Sequence, residues 1–113
     1  MNKNTKGLEG EEIAKEFYKQ SGYEILERNY RYRRAEIDLI VLKEEVLLVF
    51  VEVKSRSRKD FGETETFVSN AQQNRIKEAA EDYIFGINWQ KDIRFDIACV
   101  DDIGNVEIFK DAF

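Results

Sequence analysis

The sequence predicts a mixed α/β fold, a three-layer sandwich in which helices cover both faces of a mixed central sheet. The first observation is an apolar run, Val46 to Val51, whose β-branched and aromatic residues are typical of a central strand buried on both faces. The second is that helical patterns occur both before and after this run. The third is the order of the predicted elements, α-β-β-β-α-β-β.

The first helix is predicted from apolar residues at helical spacing, and Gly22 is a suitable C-terminal stop. These apolar residues are Ile13, Ala14, Phe17 and Tyr18. Three acids fall in the predicted first turn, where the helix dipole favours them, namely Glu9, Glu11 and Glu12.

Three strands follow, at Tyr23 to about Tyr32, at Ala35 to Leu42 and from Val46 to Lys54. The second and third are predicted to form a hairpin through Lys43–Glu45, with Leu42 paired to Val46. Glu45 is an unfavourable residue there if the turn requires a positive φ. Alternation then predicts one face with Ile37, Leu39 and Val41, and an opposite face with Glu36, Asp38, Ile40 and Leu42.

The second half of the chain predicts a helix from about Asn70 to Phe85, ended by Gly86, and two strands at Ile93–Val100 and Val106–Phe109. Its buried stripe is predicted from the apolar residues Ile76, Ala79, Ala80, Tyr83 and Ile84. We expect Tyr83, Cys99 and Phe113 to be buried, and Arg94 and Asp96 to form an ion pair.

Composition excludes several classes of protein. The 113 residues predict one domain, 1–113. A single cysteine and no histidine exclude an internal disulfide, Ser-His triads and the common zinc motifs. Phosphate-binding glycine loops and an 18-residue apolar run are absent from the sequence. We therefore expect a cytoplasmic protein whose chemistry would use carboxylates, lysine and a metal.

The charged end of the central strand is the main candidate site. Glu52 and Lys54 lie on the same predicted face as Asp38 of the neighbouring strand. Two converging carboxylates repel each other unless a cation lies between them, and oxygen ligands suit Mg²⁺ or Mn²⁺. Taken alone, Glu52 and Lys54 are equally well explained as a solvated strand end with a weak ion pair.

Basic residues cluster in two short segments, although the net charge is −5. Residues 28–34 and 54–59 contain no acid, and Tyr30 and Tyr32 lie within the first segment. The basic residues of the two segments are Arg28, Arg31, Arg33 and Arg34, and Lys54, Arg56, Arg58 and Lys59. Such clusters favour a polyanionic ligand, and a solvated edge strand and loop is the structural alternative.

Several segments together resemble the YraN-like family of uncharacterised small bacterial proteins. They are Gly10-Glu11-Glu12, Gly22-Tyr23-Glu24-Ile25-Leu26, Arg28-Asn29-Tyr30-Arg31, Glu36-Ile37-Asp38-Leu39-Ile40, Val49-Phe50-Val51-Glu52-Val53-Lys54-Ser55-Arg56, Arg94-Phe95-Asp96 and Ala112-Phe113. That family resembles the restriction-endonuclease-like PD-(D/E)xK superfamily and is similar in layout to archaeal Holliday-junction resolvases.

The resemblance implies a restriction-endonuclease-like fold and specific roles for four residues. Asp38 matches the metal-binding Asp of the superfamily, Glu52 and Lys54 match its ExK pair, and Glu11 matches an acid on the first helix. It also implies a nucleic-acid contact for Gln73. Gln72 departs from the family pattern, which commonly has lysine at that position.

Three functions follow as hypotheses. The first is an Mg²⁺- or Mn²⁺-dependent nuclease acting on DNA rather than RNA, on branched or single-stranded substrates among others. The second is a non-catalytic nucleic-acid-binding module on the same fold, and the third is a protein-interaction scaffold. We expect no membrane association. The oligomeric state is left open, with a homodimer as one alternative.

Overall fold

The computed structural model describes residues 3–56 and 68–113, with side chains from Glu9 onward. Within these ranges the elements follow the predicted order. They are α1 (Lys3–Gln20), β1 (Tyr23–Tyr32), β2 (Ala35–Lys43), β3 (Leu47–Ser55), α2 (Asn70–Ile87), β4 (Asp92–Val100) and β5 (Val106–Phe109).

The five strands form one mixed sheet in the order β1-β2-β3-β4-β5. The β3–β4 pair is parallel and the other three pairs are antiparallel. Helix α2 lies between β3 and β4 in the chain, as a parallel connection requires. β3 is the central strand, and this confirms the prediction drawn from its apolar run.

Two apolar clusters lie on the two faces of the sheet. Helix α1 contributes Ala14 and Tyr18 to a cluster with Leu39, Val41 and Val49. Helix α2 packs against the intervening residues of the same strands, which include Ile40, Leu48 and Phe50. Because neighbouring strand residues point to opposite faces, the two helices cover opposite faces. This arrangement is consistent with a three-layer sandwich.

The hairpin between β2 and β3 differs from the predicted register. Leu42 pairs with Leu48 instead of Val46, which is half-exposed in the turn. Glu44 and Glu45 both have a positive φ, 53° and 61°, and the Val46 N–H donates to the Lys43 carbonyl at 3.0 Å. The shift is two residues, and because side chains alternate with a period of two, each residue of β3 keeps its predicted face.

Ile37 does not lie on its predicted face. It packs in the cluster of α2, whereas Leu39 and Val41 pack in the cluster of α1. The pairing of β2 with β3 ends at Leu39 and Val51, while β2 continues along β1 and β3 continues along β4. We call this divergence of β2 and β3 the fork. Strict alternation is lost where β2 is no longer held by β3.

The helix boundaries also correct two predictions. Helix α1 begins at Lys3, so Glu9, Glu11 and Glu12 lie within the helix and not in its first turn. Helix α2 runs through Gly86 and ends at Asn88, whose left-handed backbone (φ 55°) forms the C-cap. Asn is one of the few non-glycine residues that adopt this conformation readily, so it replaces the predicted glycine stop.

Most of the remaining core predictions are confirmed, but Ile84 and Phe113 are only partly buried at the edge of the α2 cluster. Tyr83 and Cys99 are buried, and Phe113 packs against Phe95 with ring centroids 5.1 Å apart. Arg94 donates from Nε to Asp96 Oδ1 at 2.7 Å, and this pairing satisfies a fully buried carboxylate. Neither of the two helices that the structure describes is long and apolar enough to span a membrane.

Candidate active site

Asp38 and Glu52 lie on the two sides of the fork, each one residue beyond the last β2–β3 pair. Both residues are buried, with exposed fractions of 9% and 8%. Asp38 Oδ2 accepts the backbone N–H of Val53 at 2.7 Å. The predicted hairpin would have placed Asp38 opposite Phe50, so the observed register brings the two carboxyl groups closer together than the sequence suggested.

This proximity changes the protonation of the pair. Burial, followed by the negative charge of Glu52, raises the pKa of Asp38 to about 8, although the Val53 hydrogen bond acts in the opposite direction. Burial also raises the pKa of Glu52, against the lowering effects of its hydrogen bonds and of Lys54. A hydrogen bond between the two carboxyl groups is formed while one of them holds a proton.

Two further side chains contact Glu52. Gln72 of α2 donates from Nε2 to Glu52 Oε2 at 2.8 Å. The ammonium of Lys54 lies 3.9 Å from the same oxygen and about a third of its side chain is exposed. Lys54 and Glu52 are two residues apart on β3, which places both on one face of the strand, as predicted.

Glu11 approaches the pair from α1. Burial raises its pKa, and the charge of Asp38 is the second cause, so the two carboxyl groups repel each other. Asn29 of β1, which has a left-handed backbone, provides a hydrogen bond to Glu11. Within the described ranges, Glu11 Oε1 is buried with no hydrogen-bond partner. A buried anionic oxygen without a donor is costly and is the kind of atom that a cation would satisfy.

The donor set fits a hard divalent cation. Asp38, Glu52 and Glu11 present only oxygen atoms to a cation, and burial is the main cause that raises the pKa of each of the three carboxyl groups. Residues 3–56 and 68–113 contain no group of three Asp, Glu or Cys side chains that could hold an ion. Mg²⁺ is commonly bound by one or two carboxylates together with waters, and the pair Asp38 and Glu52 meets that requirement.

A cavity of about 180 Å³ opens beside these carboxylates, between the fork and α2. Its lining combines acidic and basic side chains. The acids are Glu36, Asp38 and Glu52, the basic residues are Arg34 and Arg75, and Gln72 lies with them. An anionic ligand in this cavity would have two arginines available to offset the charge of the carboxylates.

The structure brings only part of the predicted basic set to this cavity. Arg34 lines it directly. Arg31 forms an ion pair at 3.3 Å with Glu36, which also lines it, and Arg33 lies in the same β1–β2 turn with its guanidinium 5.2 Å from the ring centroid of Tyr32.

Other members of the set lie elsewhere. Arg28 is paired with Glu12 of α1 at 3.1 Å. The Arg56 backbone N–H donates to Val100, and its side chain contacts Cys99 at the end of β4. Arg58 and Lys59 lie outside the described residues.

Gln73 has a structural contact instead of a position in the cavity. Its Nε2 donates to the Val68 carbonyl at 2.9 Å, which secures the chain at the start of α2. Gln72, one residue earlier, makes the contact with Glu52. Gln72 and Gln73 point in different directions because neighbouring side chains on a helix are separated by 100°, and the nucleic-acid contact expected of Gln73 stays a prediction.

Sequence reasoning missed Arg75 and the position of Gln72. The available signal was their spacing, since residues three apart on a helix lie on one face. Ile76, a predicted core residue, lines the cavity next to Arg75, so the polar and apolar stripes of α2 meet at this point.

Comparison with known proteins shows which family this chain belongs to. Residues 10–100 match the family described as Uncharacterised protein family UPF0102. This chain belongs to the UPF0102 family. The match includes the fork and Asp38, Glu52, Lys54 and Gln72, and the family expected from the sequence, the YraN-like one, is thereby confirmed.

Individual relatives match over most of their length. A UPF0102 protein of Cytophaga hutchinsonii is 42% identical over 95 residues, covering 84% of this chain and 83% of its own. One from Flavobacterium psychrophilum is 40% identical over 113 residues, with 97% and 94% covered. A third, from Dictyoglomus turgidum, is 44% identical over 101 residues, with 88% and 85% covered.

Proposed function

We propose that this UPF0102 chain is a divalent-metal-dependent nuclease that hydrolyses phosphodiester bonds in DNA, with branched or single-stranded DNA among its substrates. The proposal includes a restriction-endonuclease-like fold of the PD-(D/E)xK superfamily. The observation that carries it is the pair of buried carboxylates, Asp38 and Glu52, facing each other at the fork with Lys54 beside them. A purely structural sheet end has no need for two buried acids at such a place.

Asp38 and Glu52 would hold Mg²⁺ or Mn²⁺, with Glu11 as an additional acid close to Asp38. Such an ion supplies Lewis-acid stabilisation of the phosphate and a bound water that is more acidic than bulk water. Gln72 fixes one oxygen of Glu52, and the Val53 N–H fixes one oxygen of Asp38. The remaining oxygens of the pair are then oriented before any ligand arrives, as preorganised sites require.

Lys54 is the residue placed to stabilise negative charge that develops during hydrolysis. Its ammonium lies 3.9 Å from Glu52, which lines the cavity, and about a third of its side chain is exposed. From there it would donate a hydrogen bond to a phosphate oxygen or to the attacking water. This interaction strengthens as charge builds up in the transition state, so it would contribute to turnover more than to affinity.

Arg34 and Arg75 would contact the phosphate backbone of the substrate. Both line the cavity and are exposed. Charge-assisted hydrogen bonds from guanidinium groups position a strand without reading its sequence. The two arginines would therefore orient the strand, and the carboxylates with their bound metal ion would hold the reacting phosphate.

A non-catalytic nucleic-acid-binding module is the second candidate. The observation favouring it is that Asp38 and Glu52 each have a hydrogen-bond donor from the chain itself, Val53 and Gln72. With one proton shared between them, the two acids form a self-contained pair that does not require a cation. In that case the basic residues would bind a strand without cleaving it.

A cleavage screen tests the proposal. Single-stranded, duplex and branched DNA would be incubated with the wild-type protein and with Asp38→Asn, each with Mn²⁺, Mg²⁺ or EDTA. The nuclease predicts cleavage of at least one substrate by the wild type with metal, and none by Asp38→Asn. Cleavage of equal rate by both proteins, or binding of every substrate without cleavage, contradicts it.

A further inference from the structure

A second cavity, of about 250 Å³, adjoins the acidic one. It lies between the β1–β2 turn and α2. Its lining consists of Tyr32, Arg33, Arg34, Ala35, Arg75 and Glu78. Arg34, Ala35 and Arg75 belong to the walls of both cavities, so the two spaces meet across a boundary with two guanidinium groups.

We propose that this second cavity receives an unpaired nucleobase of the substrate, while the neighbouring phosphate of the same strand contacts Arg34 and Arg75. The inference rests on the proposed function and narrows its substrate class. The substrate is a nucleic acid with at least one unpaired nucleotide next to the cleaved bond, such as a single-stranded end, a flap or a branch point.

The walls provide surfaces on which a base can stack. The ring of Tyr32 is half-buried and packs against the core, so its position is fixed. The Arg33 guanidinium lies over this ring at 5.2 Å and adds a second planar group. Bases of single strands stack on aromatic rings and on guanidinium planes, and this interaction tolerates any sequence. Ala35 adds a small, buried and apolar part of the wall.

The boundary between the cavities has the charge that a phosphate needs. Among the described residues, neither Arg34 nor Arg75 forms an ion pair, in contrast to Arg28, Arg31 and Arg94. A phosphate bound there would be held by two cations with no acid already neutralising them. The acidic cavity shares these two arginines and also has Asp38 and Glu52 in its lining.

Glu78 gives the cavity a means of selecting among bases. It lies three residues after Arg75 on α2, and the two therefore share a helix face. A carboxylate accepts hydrogen bonds from exocyclic amino groups, which cytosine, adenine and guanine carry and thymine lacks. We expect an unpaired amino-bearing base to bind more tightly than thymine.

The size of the cavity favours one base over a duplex. Its volume is slightly below the roughly 300 Å³ at which pockets for drug-sized ligands begin. A base within a duplex is stacked on both faces, and it must leave the stack before it can enter a pocket of this kind. An already unpaired nucleotide avoids that cost.

Fluorescence of 2-aminopurine tests the inference without cleavage. Oligonucleotides would carry 2-aminopurine either at an unpaired end or inside a fully paired duplex, and binding would be measured in EDTA at low salt. Tyr32→Leu keeps apolar volume but loses the ring, while Tyr32→Phe keeps the ring and is the matched control. Arg33→Ala removes an exposed guanidinium with no risk to the core, so it serves if Tyr32→Leu fails to fold.

The wild type and Tyr32→Phe should quench the unpaired probe. Tyr32→Leu should weaken its binding about 5- to 100-fold, and Arg33→Ala less, with little change for the paired probe. Glu78→Ala should remove the preference for unpaired cytosine over unpaired thymine. Equal losses for both probes, no loss in either variant, or no binding of the unpaired probe would overturn the inference.

The outcomes also separate this inference from the nuclease proposal. Quenching that depends on Tyr32, together with no metal-dependent cleavage, would support the base cavity and contradict the nuclease. Cleavage that is abolished by Asp38→Asn but unaffected by Tyr32→Leu on every substrate would support the nuclease and contradict the base cavity.

Discussion

Asp38 on β2 accepts the backbone N–H of Val53 on β3, with 2.7 Å between Oδ2 and the amide nitrogen. The bond lies where the β2–β3 ladder has just ended, so a side-chain oxygen takes the place of the carbonyl that the ladder would have supplied. Asp38 is thereby held at a fixed position next to Glu52. The same contact satisfies the backbone at the fork and orients a candidate metal ligand.

The stability of the metal-free protein should fall as the pH rises from about 4 to about 8. The folded protein keeps a proton on Asp38 up to a pKa of about 8, whereas an unfolded aspartate loses it near 4. The folded state therefore binds more protons across this range, and the free energy of unfolding decreases as the pH rises. Urea unfolding in EDTA at pH 5 and pH 8 should differ by at least about 1 kcal/mol, the equivalent of one pKa unit.

Asp38→Asn is the control for that pH dependence. Its amide oxygen still accepts the Val53 N–H, but the side chain does not titrate. We expect the variant to be as stable as the wild type at pH 5 and more stable at pH 8. An equal pH dependence in both proteins would show that the fork carboxylates do not share a retained proton.

Mn²⁺ should raise the melting temperature of the wild type at pH 8, because a ligand that binds only the folded state stabilises it. The rise should be smaller at pH 5, where protons compete for Asp38 and Glu52. Asp38→Asn should show no rise at either pH. Calorimetric titration that gives the same Mn²⁺ affinity for both proteins would exclude Asp38 as a ligand.

Gln72→Ala and Gln73→Ala form a matched pair of neighbouring substitutions. Gln72→Ala frees Glu52 Oε2 and should lower metal affinity about tenfold, with a small effect on stability. Gln73→Ala removes the bond to Val68 and should cost about 1 kcal/mol of unfolding free energy, with unchanged metal affinity. Urea unfolding and Mn²⁺ titration of both variants check this, and reversed effects would contradict the roles assigned to these two hydrogen bonds.

Glu45→Gly should stabilise the protein by about 1 kcal/mol, because glycine adopts the positive φ of this turn without the cost that a side chain adds. Glu107→Gly, on strand β5 with ordinary backbone, should instead destabilise it by about 0.5–1 kcal/mol. Urea midpoints compare the two. A loss of stability in Glu45→Gly would contradict the turn geometry.

The faces of β3 were predictable because the side-chain period of a strand is two and the hairpin register slipped by two residues. Asp38, Glu52 and Lys54 stayed together for that reason, although the paired residues were wrong. Ile37 was not predictable, because its orientation depends on where β2 leaves β3, and that depends on the partners of both strands. Arg75 was missed because its spacing from Gln72 indicates a shared helix face, but not that this face of α2 lies beside the fork, which is a tertiary feature.

For the basic residues too, the sequence indicated the segment in which they lie but not the direction in which each side chain points. Arg33 and Arg34 of the first basic segment both lie in the turn beside the cavities, and their contact with nucleic acid stays a prediction. Arg28 belongs to the same cluster but is turned towards Glu12 of α1, since neighbouring side chains on β1 point to opposite faces. The clustering of positive charge in the sequence therefore does not predict which of these residues share one surface of the folded protein.

Lys54→Met and Arg34→Ala, compared in single-turnover cleavage and in binding over a salt series, test the central claim most directly. Each substitution removes one positive charge beside the acidic cavity. If Asp38, Glu52 and Lys54 form a nuclease site, Lys54→Met should lower the cleavage rate at least about 100-fold with little change in affinity. Arg34→Ala should weaken binding to all substrates and reduce the salt slope by roughly one. Identical behaviour of the two variants, with a similar loss of affinity and no specific loss of cleavage, would contradict the nuclease.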